Sequence, residues 1–179
     1  MNENTQNIML PSATPYVLLA ILVIALGLAI SRPSRPVKAD VRLKFVGIFL
    51  IGIACQCAHF IEEFVTGFYS YFPPIFGLIP LSPELFVGFN VFWIGIWALS
   101  AYGVMHDSGI AYFPVWFFGL GMCLNLVAHP LLAVWAGGYF PGLITSPAVG
   151  IMGVVVTRRL FQLTDSRSNN EIHSADDSP

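Results

Sequence analysis

From residue 109 to residue 156 this chain carries no Asp, Glu, Lys or Arg, and that uncharged stretch leaves few folds open to it. A water-soluble domain needs charge on its solvated faces, whereas a bilayer-crossing helix needs about 20 consecutive, largely uncharged residues. The stretch is too long for one helix. Gly137-Gly138-Tyr139-Phe140-Pro141-Gly142 divides it, which predicts spans at about 111–134 and 143–161. With 56% hydrophobic and only 10% charged residues, the whole sequence has the composition of an integral membrane protein. A net charge of −2 gives no footing for nucleic acid. Cys55, Cys57 and Cys123 lie in apolar runs without zinc-finger spacing, so they read as packing residues.

Further spans are predicted at about 16–30, 44–67 and 85–105, giving an all-α bundle of five transmembrane helices. The first run is preceded by no Lys or Arg and followed by Arg32, Arg35, Lys38, Arg42 and Lys44. That order is the reverse of a signal peptide, so the run is expected to remain as a helix with its N-terminus outside. The basic loop, the turn at 105–108, Arg158, Arg159 and Arg167 then all fall inside, as does the C-terminus. Residues 1–14 are expected to form an extracytoplasmic tail, 15–163 a single five-helix domain in contact with lipid, and 164–179 a disordered cytoplasmic tail. The connector at 68–83 holds Pro73, Pro74, Pro80 and Pro83 and cannot be one regular helix; it is expected to lie at the interface.

Five polar side chains, Gln56, His59, Glu62, Glu63 and Thr66, interrupt the second span. At about 100° per residue they fall, with Cys55, within an arc of roughly 120°. Ionisable groups at membrane depth cost at least about 2.5 kcal/mol each, so this face is expected to turn inward and find partners. At about 1.5 Å per residue from Lys44, His59 lies roughly 22 Å up, in the outer half. Asn125 and His129, four apart on the fourth span, reach a similar height, and Glu84 and Asn90 begin the third span near the same level. Singly, Asn90 and Asn125 read as helix-to-helix hydrogen bonds; combined with two His and two Glu, the layer reads as a functional site. Glu84, Tyr69, Tyr71 and Tyr139 read as interface anchors, and Cys55, Met122, Cys123, Trp93 and Trp97 as packing. The 138–142 turn, followed by Thr145-Ser146-Pro147, reads first as a tight interfacial corner and otherwise as a cap over the site.

Imidazole and carboxylate are ligands for Zn, Fe or Mn, and His59 with Glu62 or Glu63 has the spacing by which one helix supplies two of them. His129 is the expected ligand from a second helix. A di-iron carboxylate site is disfavoured by the single His-x-x-Glu segment. Without metal, the same groups form a coupled acid/base pair suited to proton transfer or proton-coupled transport. His59, Glu62 and Glu63 are therefore the candidate catalytic groups, and Gln56, Asn90, Asn125 and Tyr139 the candidate substrate contacts. The leading reading is a metal-dependent enzyme acting on a lipid-like or hydrophobic small molecule. A metal-free carrier or binder of such a molecule, and a structural membrane subunit, are the alternatives.

The ordered motifs His59-Phe-Ile-Glu62-Glu63, Asn90, Asn125-Leu-Val-Ala-His129, Tyr139-Phe-Pro141-Gly142-Leu-Ile-Thr145 and Pro147 resemble the HXXEE family of small bacterial membrane proteins over about 45–161. The resemblance implies a bacterial plasma-membrane protein with a shared site at His59, Glu62, Glu63, Asn125 and His129, and supplies no reaction. A weaker likeness is to the emopamil-binding, sterol-isomerase superfamily, whose five-span members set a His and a Glu four apart on the second helix; it implies chemistry on an apolar substrate.

The charge distribution makes a direct prediction. In intact cells an impermeant thiol reagent should label a Thr5→Cys variant and spare Asn170→Cys; the opposite pattern would invert the depth assignment.

Overall fold

The computed structural model describes residues 14–33 and 37–164, and its regular structure is entirely helical. The tails expected at 1–14 and 164–179 therefore lie, except for their innermost residues, outside the described residues. The helices are α1 (Thr14–Ser31), α2 (Ala39–Val65), α3 (Phe68–Ile75), α4 (Pro83–Met105), α5 (Tyr112–Ala136) and α6 (Ser146–Thr164). Three of them are long and apolar enough to cross a membrane: α2, α4, and α5 with the 3-10 turn Gly109–Ala111 that leads into it. The apolar stretch of α1 is shorter, and α6 carries Arg158 and Arg159 in its second half. Leu50, Ile51 and Ile61 on α2, Phe92 and Leu99 on α4, and Leu131 and Val134 on α5 point outward. Such a surface suits hydrocarbon and not water.

Helix α2 shows why the chain folds as it does. Its inward residues Phe45, Phe49, Gly52, Gln56, His59 and Glu63 recur at alternating steps of four and three, a single stripe along one face. The lower half of that stripe meets an apolar core, where Phe49 and Phe118 pack edge to face at 5.2 Å and Val104, Val115, Trp116 and Val156 are fully buried. The upper half is polar. At the lower end, Arg42 bridges to Asp107 at 2.6 Å and donates to the carbonyls of Met105 and Val37, tying α2 to the turn after α4.

The proline-rich connector is helical over 68–75, beyond what was expected, and then turns through Gly77. Pro73 has no N–H for the Tyr69 carbonyl, and the Leu81 N–H supplies the missing bond at 2.9 Å. Ser82 caps α4 by accepting from the Leu85 N–H, with Pro83 in the first turn, where its missing donor costs nothing.

The most extensive helix pair is α5 with α6. Small residues let the two backbones touch: a Cβ on Gly150 would lie 2.5 Å from Leu126 Cβ, and one on Gly153 would lie 2.5 Å from the Cys123 backbone nitrogen. Gly119 of α5 accepts Thr157 of α6 in the same way. This seam fixes the register of the two helices and so the height of residues 145 and 146 beside His129. Gly150→Ala or Gly153→Ala should destabilise the protein by about 1–3 kcal/mol through overpacking. Thermal unfolding in detergent should show this, whereas Gly95→Ala, whose Cβ meets nothing within 4 Å, should hold or raise the midpoint.

Candidate metal centre

His59 and Glu63 stand one turn apart on the inward stripe of α2, and His129 reaches them from α5. All three are buried, at 1%, 7% and 2% relative exposure. The imidazole planes meet edge to face with centroids 4.8 Å apart. Both Nε2 atoms lie 3.5 Å from Glu63 Oε1, and one ligand atom from each residue falls within 4.8 Å of the others. The group could hold a metal ion.

Hydrogen bonds on the far side of each ring decide where the ring protons sit. His129 Nδ1 faces the Pro141 carbonyl at 2.8 Å. A carbonyl only accepts, so Nδ1 carries the hydrogen and Nε2 presents a lone pair. His59 Nδ1 faces Thr145 Oγ1 at 2.8 Å, and that hydroxyl donates its only proton to Glu62 Oε2. His59 Nδ1 must therefore donate to Thr145, leaving its Nε2 lone pair, which has no hydrogen-bond partner among the described residues, aimed at Glu63.

The hydrogen-bond partners of both Nδ1 atoms come from the segment between α5 and α6. Gly142, at φ +87°, lies directly over the rings: a Cβ there would sit 2.5 Å from His129 Cε1 and 2.9 Å from His59 Cε1. The Pro-Gly turn, read first from sequence as an interfacial corner, is thus a cap. Phe68 of α3 packs against the His129 ring at 5.7 Å and against Phe140 and Phe86, closing another side with aromatic carbon. The connector 68–83 contributes to the enclosure through this residue.

Glu62 was expected beside Glu63 as a ligand or catalytic group, and the structure separates the two. One residue is about 100° of helix, so Glu63 continues the inward stripe while Glu62 turns to the loop. There its carboxylate accepts from Tyr139 Oη at 2.6 Å, Ile144 N at 2.9 Å, Thr145 N at 2.7 Å and Thr145 Oγ1. Burial, and then the Glu62 carboxylate, push the Tyr139 phenol above its ordinary range, keeping it a donor. Gln56 is buried one turn before His59 on the same stripe, its Oε1 without a partner among the described residues. Asn90 is buried but donates to the Phe86 carbonyl of its own helix at 3.0 Å, and half-buried Asn125 points its amide at Met122 Sδ at 3.7 Å. Among the described residues neither makes the interhelical bond that each would be read to make if taken singly. The parts that sequence reasoning did not assign are Thr145, the Pro141 carbonyl and Gly142. The glycine of a Pro-Gly turn was the one available signal, since nothing in a sequence marks a backbone carbonyl.

Compared with protein-family models, curated proteins and solved structures, the chain matches none. Fold and site together define a helical membrane protein with a buried His-Glu-His group able to hold a metal ion.

Replacing Gly142 by Ala should drive the cap off the rings, because the new methyl meets both imidazoles at a φ that disfavours side chains. Diethyl pyrocarbonate should then modify His59 and His129 faster than in the native protein, as read by mass spectrometry. An unchanged rate would show that the turn does not shield them.

Proposed function

We propose that His59, Glu63 and His129 bind a divalent metal at the centre of a membrane enzyme acting on a lipid-like or otherwise hydrophobic small molecule. The single observation that supports this is the convergence of two imidazole lone pairs on one carboxylate oxygen with no ring proton between them. Like partial charges facing one another in a buried site repel unless a cation sits among them. Two of the three spacings agree: ligand atoms about 2.0–2.1 Å from a tetrahedral ion lie about 3.4 Å apart, against 3.5 Å from each Nε2 to Glu63 Oε1, and the three ligand atoms all lie within 4.8 Å of one another. A shared proton would favour a charge-assisted hydrogen bond of about 2.7–2.9 Å, which counts against the metal-free carrier.

Two His and one Glu make a ligand set used by catalytic zinc and by non-haem iron, with at least one position left for water or substrate. Such an ion supplies a Lewis acid or an activated water. The same proposal includes the five-span topology with the N-terminus outside, a bacterial plasma-membrane location and kinship with the HXXEE family.

Protein purified without chelator should carry close to one equivalent of Zn, Fe or Mn, and His129→Gln or Glu63→Gln should lose it while keeping the helical fold. Substoichiometric metal in the native protein, with a melting curve indifferent to EDTA and to added metals, would sink this reading.

A further inference from the structure

The structure assigns Glu62 and Thr145 a positioning role: through them one carboxylate outside the ligand group sets the orientation of both imidazoles within it. This inference rests on the metal reading for its purpose, though not for its geometry. Its first arm is direct. Thr145 Oγ1 donates to Glu62 Oε2, which leaves the hydroxyl only lone pairs for His59, so His59 is held with its hydrogen on Nδ1 and its Nε2 facing Glu63. Its second arm runs through the backbone. Glu62 also accepts the Ile144 and Thr145 N–H groups and the Tyr139 hydroxyl, and so fastens both ends of the short segment that presents the Pro141 carbonyl to His129 Nδ1.

The chemistry explains the arrangement. A neutral imidazole can carry its hydrogen on either nitrogen, and only one of the two forms leaves Nε2 free to ligate. Partners on the other nitrogen select that form, fix the ring plane and raise the basicity of the ligating atom, and their loss typically costs 10–100-fold in metal affinity. Glu62 sits adjacent to a ligand in sequence yet does this work from outside the group. Thr145 is the link by which His59 feels it.

The test combines ring tautomers with metal affinity. In protein labelled with 15N-histidine, stripped of metal and held at about pH 8, above the ordinary histidine range, nitrogen chemical shifts report which atom carries the hydrogen. Native protein should show His59 and His129 protonated at Nδ1. Thr145→Val, which keeps the shape and the backbone N–H but removes the hydroxyl, should put part of His59 into the Nε2–H form and leave His129 unchanged. The same variant should weaken binding of Zn(II), measured against a competing chelator, by about 10–100-fold. Thr145→Ser should restore both properties, which a merely structural contact of the threonine methyl would not do. Glu62→Gln should disturb both rings. The inference is overturned if His59 in native protein carries its hydrogen on Nε2, a result that needs no variant to fold, or if Thr145→Val leaves tautomer and affinity at native values. Native protein that binds no Zn(II) defeats the metal reading instead, and the tautomers from the same sample still decide the positioning role.

Discussion

Two adjacent carboxylates on one apolar helix cannot be satisfied in one place, and the upper half of this molecule is organised around keeping them apart. Glu62 and Glu63 leave α2 about 100° apart. One is met by donors from the loop between α5 and α6, the other by two histidines. Glu63 is buried, and a carboxylate stranded in a dry interior costs several kcal/mol, so α5, which supplies His129, is held to it by that demand. Half-buried Glu62 ties the loop through hydrogen bonds. The loop cannot leave without stripping Glu62, and α5 cannot rotate without removing His129 from Glu63.

Packing below the site serves the same end. Helix α2 packs on α4 and α6, with Phe49 reaching the Phe118 ring of α5 in the apolar core, and the glycine seam holds α6 closely to α5. Because backbones in contact have fewer alternative registers than side chains in contact, the height of Thr145 relative to His129 is set largely by glycines of the α5–α6 seam.

Much of this was legible in the sequence. Uncharged runs and the polar arc of α2 located the helices and the inward face, and placing His129 at the height of His59 anticipated their meeting. Choosing Glu63 over Glu62 was also within reach, because the four-three stripe through Phe45, Phe49, Gly52, Gln56 and His59 continues to 63 and skips 62. Asn90 shows that an amide near a helix's own carbonyls can be satisfied without crossing to a neighbour. The cap was hard to read for a different reason. Its contribution is a carbonyl, which has no signature in a sequence, and an absent side chain, marked only by the glycine of the Pro-Gly turn.

The partners of Glu62 lie 77 to 83 residues downstream of it. A chain growing at roughly 5–20 residues per second makes them on the order of ten seconds after α2 has emerged. During that interval α2 must be accommodated with two carboxylates and an imidazole unmatched, a burden of several kcal/mol on its entry into lipid. Insertion of this helix is therefore provisional until the last third of the protein exists, and biogenesis, rather than the finished fold, is where the polar stripe is most exposed to failure.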